Sequence, residues 1–246
     1  MKQKHAFFIA VFITFIIAGN WLFFNASSLF PDREIVIISR VIDGDTVELE
    51  DGRTIRLLNI NTPEKGEFGS ELSAGYLSDF INENVGFEYA GIEKYGRTLG
   101  RIYSDNYINL KLVQLGFASP FLVNDKEIEE FRDAQREAVD ENKGIWERSE
   151  YYGCLDVEIN KKEEFVVIED ECGLNFQRWS VKDESTKKYT FKKEFRAEKF
   201  KLNSAKGTDT ETEVFWGRDN IWNNDRDSIF IRDKNGFLVY FDSYGY

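Results

Sequence analysis

The chain has 246 residues, of which 42% are hydrophobic, 31% charged and 15% aromatic; that length and balance suit one or two packed domains and exclude wholesale disorder. The single histidine, His5, sits at the extreme N-terminus, which excludes Ser-His-Asp triads, histidine-ligated zinc and histidine general bases. A net charge of -12 excludes a sequence-independent grip on duplex DNA through overall charge, so nucleic-acid chemistry here requires a local site.

In chain order, the first element is an uncharged run at residues 6–24, with Lys2 and Lys4 before it and Asp32, Arg33 and Glu34 after it. As a helix it would be about 28 Å long, enough for a bilayer core. The lysines put its N-terminus in the cytoplasm and the rest of the chain outside. The expectation is a transmembrane signal anchor over 1–30 with an extracytoplasmic remainder. A cleaved signal peptide, with small residues at 26–28, is the competing reading and would make the protein secreted. Cys154 and Cys172 both lie in the exported part. There they read as a disulfide, against the alternative of two buried thiols.

The exported part changes character near residue 150, giving expected units at 31–150 and 151–246. In the first, residues 34–38, 46–50 and 54–60 read as strands, with a hairpin turn at 50–53. Leu72, Tyr76, Leu77, Phe80 and Ile81 repeat at helical spacing. Residues 87–92 and 99–103 read as a strand pair and 110–115 as a short apolar helix. Ile128, Phe131, Ala134 and Ala138 mark one face of a helix over 126–142, stopped by Gly144. This order predicts an α+β domain with a small barrel. In the second unit, β-prone runs at 164–168, 178–181, 188–191, 199–202, 213–216, 228–232 and 237–241 predict an all-β sandwich. Trp179, Trp216 and Trp222 read as packing residues rather than a stacking surface. Asp225, Asp227 and Asp233 read as a solvated turn rather than a calcium loop.

The chemistry lies within residues 43–97. Asp43-Gly44-Asp45 places two carboxylates around a tight turn, Arg56 sits in the third strand, and Asn61-Thr62-Pro63-Glu64 follows it. Lys94-Tyr95-Gly96-Arg97 precedes the strand at 99–103. Each piece alone reads as a turn, a surface arginine or a loop ending; the set is what points to a phosphodiester. Asp45 and the Asn61 oxygen suit a hard cation such as Ca²⁺. Arg56 and Arg97 suit bidentate phosphate binding and charge stabilisation. Glu64 suits the orientation or deprotonation of a water.

These segments, in this order and in this spacing apart from a shorter loop before Lys94, resemble the staphylococcal nuclease (thermonuclease) family over residues 36–146. The matching text is the Val-Ile-Asp-Gly-Asp-Thr-Val run at 41–47, Ile-Arg-Leu-Leu at 55–58, Asn-Thr-Pro-Glu at 61–64, Lys-Tyr-Gly-Arg at 94–97 and Gly-Ile-Trp at 144–146. The resemblance implies an OB-fold five-stranded β-barrel with three helices that cleaves DNA and RNA with Ca²⁺. Position by position, it implies metal ligands at Asp45, Asn61 and the Thr62 carbonyl, with Asp43 as an outer partner of the metal. It implies phosphate clamps at Arg56 and Arg97, a base or water-orienting role for Glu64, and substrate contacts at Lys94, Tyr95 and Phe121. Asn61 departs from the family's second carboxylate, which implies weaker Ca²⁺ binding. The acidic composition favours single-stranded DNA or RNA as substrate.

Residues 154–246 resemble a lamin-tail domain, an immunoglobulin-like all-β sandwich. The resemblance is carried by runs such as 174–183, 206–213 and 221–225, and implies an adhesion or positioning role toward nucleic acid or a cell-surface ligand, polymer or protein. Two other readings stand beside the nuclease: a nucleic-acid-binding OB module without catalysis, and a surface-interaction protein led by the sandwich. Convergence of Asp45, Asn61, Glu64, Arg56 and Arg97 on one place separates the first reading from these.

Overall fold

A computed structural model of the chain describes residues 33–93 and 96–246. The uncharged run at 6–24, Lys94 and Tyr95 lie outside the described residues. Among the described residues no helix is long and apolar enough to cross a membrane.

Five strands close a barrel in the order β1-β2-β3-β6-β5: β1 (Glu34–Asp43), β2 (Thr46–Leu49), β3 (Thr54–Leu57), β5 (Asn84–Ile92) and β6 (Thr98–Tyr103). β1 pairs with β5 through its first half and with β2 through its second. Irregular register at Ile38/Arg40 and Val41/Asp43 bends it round the barrel. Val36, Ile38, Val47, Leu49, Ile55, Leu57, Val85, Phe87 and Ile102 fill the interior. Their alternation with outward residues is what the strand patterns announced.

Three helices, α1 (Ser70–Ser78), α2 (Ile108–Gln114) and α3 (Ile128–Asp140), cover the barrel. α1 stops short of the periodic residues Phe80 and Ile81. Those two continue as a turn, and Ile81 bridges to Ile38 of β1. α2 buries Ile108, Leu110, Leu112 and Val113. α3 buries one stripe, Phe131, Ala134 and Ala138. Gly144 closes this region by close approach: a Cβ there would stand 2.2 Å from the Gly116 carbonyl oxygen.

Residues 54–60, expected as one strand, are broken. Asn59 takes a positive φ of 68°, a conformation asparagine tolerates better than most residues. The chain leaves the barrel after β3 and pairs as β4 (Ile60–Asn61) with β7 (Ser119–Pro120). That kink sets the residues after Ile60 beside the mouth of the barrel.

The rest of the chain forms two four-stranded sheets, β13-β12-β9-β8 and β11-β10-β14-β15. They are built from β8 (Leu155–Asn160), β9 (Phe165–Asp170), β10 (Ser180–Lys182), β11 (Lys188–Thr190), β12 (Lys199–Asn203), β13 (Glu213–Phe215), β14 (Asp227–Arg232) and β15 (Leu238–Tyr244). The sheets share one core, with Leu155, Val166, Ile168, Phe200 and Leu202 from the first and Val181, Ile229, Ile231 and Val239 from the second. Trp179 and Trp222 are buried in it, and Trp216 packs against it. Cys154 and Cys172 are disulfide-bonded, with Cα atoms 5.6 Å apart. Asp227 and Asp233 are buried rather than solvated. Their carboxylates accept backbone N–H groups of Glu184, Ser228, Asn223, Asn235 and Phe237.

The two-sheet unit is fastened to the barrel. Ala138, Ile145, Trp146, Phe230 and Leu238 form a small core of their own between them. Trp146 lies 5.7 Å from Phe230 and 4.8 Å from Phe241, centroid to centroid. Phe68 meets Phe237 at 4.9 Å, and the Arg226 guanidinium donates to the Val123 carbonyl at 2.5 Å.

Candidate active site

The site is a cleft of about 520 Å³ at the barrel mouth, lined by Asp43, Asp45, Arg56, Asn61, Thr62, Glu64, Arg97 and Phe121 among others. Every described residue singled out for the chemistry therefore faces one space. Asp43 and Asp45 arrive from the turn between β1 and β2. Arg56 comes from β3, Asn61 to Glu64 from the kinked segment, and Arg97 from the turn before β6.

The β1–β2 turn needs its glycine. A Cβ at Gly44 would stand 2.2 Å from the Ser73 Oγ and 2.7 Å from the Thr62 Oγ1. Its tight path lets the Asp45 backbone N–H donate to Asp43 Oδ1 at 3.1 Å. The Asp45 carboxylate is buried and well held. Its Oδ2 lies 3.0 Å from the Arg56 guanidinium and accepts from the Thr62 N–H at 3.3 Å and the Thr62 hydroxyl at 3.2 Å. Its Oδ1 accepts from the Thr46 hydroxyl at 3.1 Å.

Burial pushes the Asp45 carboxyl up to about 6, against the pull of Arg56 and with the negative charge of Asp43 adding to the rise. Burial likewise lowers Arg56, with Asp45 opposing it. Arg56 also donates to the Leu57 carbonyl at 2.5 Å and to Asn61 Oδ1 at 3.3 Å. Arg97 pairs with Glu93, which raises it, and reaches the Thr46 hydroxyl at 3.3 Å. Glu64 is exposed at the cleft edge.

Asn61 occupies a different set of bonds from the one expected of a free ligand. Its amide nitrogen donates to the backbone carbonyls of Glu184 at 3.1 Å and Ser185 at 3.3 Å. Its oxygen accepts from Arg56. The two-sheet unit thus docks on Asn61, and its Ser185 and Thr186 form part of the cleft wall. Sequence reading missed both. Nothing local to residues 183–187 points to a site, because their role follows from a contact across more than a hundred residues.

Among the described residues no three His, Cys, Asp or Glu side chains group as a metal cage. The donors that face the cleft are hard oxygens, among them the carboxylates of Asp43, Asp45, Glu64 and Glu93, and they suit a hard divalent cation completed by carbonyls and water. A cation against Asp45 would offset the cost of burying that carboxylate beside Asp43.

Residues 54–148 match the family described as staphylococcal nuclease homologue. Over 140 residues the chain is 34% identical to a thermonuclease of Staphylococcus intermedius, covering 51% of this chain and 83% of that protein. The chain belongs to the thermonuclease family. It is also 28% identical over 114 residues to an uncharacterized endonuclease of Escherichia coli, covering 44% of this chain and 74% of that one. Endonuclease YhcR of Bacillus subtilis is 30% identical over 141 residues, which span 46% of this chain but 11% of YhcR. These relatives are nucleases, the family is metal-dependent, and a nucleic-acid substrate follows from the likeness. The matched region ends at the barrel unit, so it leaves the two-sheet unit without a counterpart in the family match.

Proposed function

We propose that the protein is a Ca²⁺-dependent extracytoplasmic nuclease that hydrolyses phosphodiester bonds of DNA or RNA, single strands favoured. One observation carries the reading: Asp43, Asp45, Arg56, Glu64 and Arg97 line a single cleft. A module that only binds nucleic acid gains nothing from carboxylates beside its phosphate-binding guanidiniums, since they repel the ligand. A hydrolase uses both signs.

Asp45 and the Thr62 carbonyl would hold the cation, with Asp43 as an outer partner. Asn61 lends its oxygen only by giving up Arg56. Bound there, the cation would supply positive charge against a phosphate oxygen. Arg56 and Arg97 hold the non-bridging oxygens and neutralise charge on the five-coordinate phosphorus. Glu64 takes the proton of a water as its oxygen bonds to phosphorus. The opposite P–O bond breaks, and its electron pair leaves with the sugar oxygen.

The extracytoplasmic placement is supported by the uncharged run at 6–24, read as a membrane anchor, and by the disulfide. The two-sheet unit, read as a lamin-tail-like immunoglobulin-like sandwich, positions the nuclease toward a surface ligand.

The test is cleavage of a single-stranded oligonucleotide by the full chain, with millimolar Ca²⁺ or with chelator, beside Glu64→Ala and Arg97→Ala. Cleavage should require Ca²⁺ and fall by about 10²-fold or more in each variant. Intact substrate at millimolar Ca²⁺, with measurable binding, would overturn the reading in favour of an inactive binding module.

A further inference from the structure

A second cavity, of about 260 Å³, lies in the seam between the barrel and the two-sheet unit. Its lining is basic in a chain of net charge -12. Lys182, Lys188 and Arg232 face it, Arg178 and Lys234 stand at its exposed rim, and the acids present are Glu67 and Asp233.

Those two acids are already committed. Glu67 pairs with Lys188. Asp233 accepts from the Ser149 hydroxyl at 2.7 Å and from the backbone N–H groups of Asn235 at 2.8 Å and Phe237 at 3.1 Å. Lys182 and Arg232 are left without an ion pair among the described residues. The Lys182 ammonium reaches the Asp183 carbonyl, at 3.4 Å, and stands 5.6 Å from the centroid of the Phe230 ring. The Arg232 guanidinium donates through one nitrogen to the carbonyls of Ile145 at 2.8 Å and Gly236 at 3.0 Å.

Cations so placed are costly: desolvation is paid, and the nearby acids, which form no ion pair with either group, return only part of it. The cost shows on both groups. Burial lowers Lys182, against the pull of Asp183 and Glu67 and with Arg232 adding to the drop, and brings Arg232 down to about 10 against the pull of Glu67 and Asp233. A fold that keeps two such groups side by side has a place for an anion. This cavity and the catalytic cleft share Asn61, Thr62 and Pro63 as lining. The two cavities therefore adjoin at the 61–63 segment.

We propose that the seam cavity is a phosphate subsite, in which Lys182 and Arg232 hold a backbone phosphate of the strand being cut, next along from the scissile one. The identity of the strand rests on the nuclease reading; the site itself does not. In this scheme the two-sheet unit contributes part of the substrate track.

The experiment uses the full chain and the variants Lys182→Met and Lys182→Arg, each checked by thermal unfolding. Binding of a single-stranded octanucleotide is measured in chelator across a salt series. Cleavage of that octanucleotide and of a dinucleotide, which has one phosphate, is measured with Ca²⁺. Lys182→Met should weaken octanucleotide binding five- to tenfold and reduce the slope of log K against log salt by about 0.7, the value for one phosphate contact on a single strand. It should raise the octanucleotide KM by a similar factor and leave the dinucleotide unchanged, and Lys182→Arg should restore both. Equal effects on the two substrates, or no change in slope, would overturn the subsite. Inorganic phosphate that binds the wild type and not Lys182→Met, with octanucleotide binding unaltered, would overturn the strand assignment in favour of a free phosphate. Absence of cleavage in every variant would sink the nuclease reading alone, because the salt slope reads the subsite without turnover.

Discussion

Replacing Asn61 by aspartate restores the family's carboxylate and, in this chain, should undo part of the fold. The Asn61 amide is 6% exposed and donates to two backbone carbonyls of the two-sheet unit, at 3.1 and 3.3 Å. A carboxylate there has no N–H to give and would face both carbonyl oxygens with negative charge. Two hydrogen bonds at about 1 kcal/mol each are lost, and two acceptors are left facing a like charge. A closer ion pair with Arg56 returns part of this. The expected net cost is about 2–4 kcal/mol. For a chain of this size that lowers the midpoint of thermal unfolding on the order of 10 °C. Asn61→Ala, which loses the bonds without adding charge, should cost about half as much. Hydrogen exchange localises the effect: protection should drop at residues 183–187 and persist in β1–β3 of the barrel. Calcium should offset more of the loss in the aspartate variant than in the alanine variant, since only the former gains a ligand charge. A wild-type midpoint with a fully protected 183–187 loop in Asn61→Asp would refute the docking argument.

Gly44→Ala drives a Cβ against Ser73 and Thr62; it should cost about 1–3 kcal/mol of stability and lower kcat at least tenfold by displacing Asp45, read by thermal unfolding and single-turnover cleavage. Glu184 is buried, 1% exposed, and burial raises its carboxyl to about 7 against a hydrogen bond from Tyr246. Its folded pKa thus lies above the unfolded one, so its contribution to stability is complete below about pH 4.5 and is lost as pH rises to about 7. Denaturant unfolding should show a fall of about 2–3 kcal/mol across that window, absent in Glu184→Gln. Reduction of the Cys154–Cys172 bond, which closes a loop of 18 positions, should cost about 3 kcal/mol, seen as a lower urea midpoint in the presence of reductant.

What the sequence made legible is what depends on local pattern. The barrel strands and α3 are visible because their buried residues recur at period two or along one helical face. The site residues are visible because hard-oxygen donors and arginines gather in one stretch with no histidine among them. The misses have separate causes. The run at 54–60 is β-prone from end to end, and nothing in its periodicity marks the left-handed Asn59 that turns it out of the barrel. β8 carries a signal that was available: Leu155, Val157 and Ile159 alternate with Asp156, Glu158 and Asn160. It sits at a sheet edge, and its polar residues hide it in a charged region. The burial of Asp227 and Asp233 was illegible because an aspartate that accepts backbone N–H groups looks, in sequence, like one in a solvated turn. The docking of residues 183–187 on Asn61 is a contact between distant segments, and the substitution at 61 read alone suggests a damaged metal site. Read with the carbonyls of Glu184 and Ser185, the same asparagine is a hydrogen-bond donor required by its surroundings.

The acidic balance of the chain sets how such a site can work. Several cations are spent on ion pairs elsewhere: Arg53 with Glu34 and Asp51 and Lys143 with Glu137 and Glu141 at the surface, and Arg101 with Glu88 and Glu127 in a half-buried cluster. Those that face the cleft and the seam stand beside a polyanion's path while the surface around them repels it. Attraction is then local, limited to the few phosphates that Arg56, Arg97 and the seam cations reach. With two phosphates held, the scissile one and its neighbour, log K for a single strand should fall with log salt at a slope of about -1.4. A basic nuclease that tracks a long backbone would show a much steeper one. The measurement separates two ways of making a nuclease. A slope of -5 or steeper would mean that binding spreads over surface the charge distribution says is hostile, and the local-site argument would fall with it. A slope of about -1.4 would mean that affinity is built inside the two cavities, where desolvated guanidinium and ammonium groups gain most from each phosphate, and that product leaves as soon as those few contacts are cut.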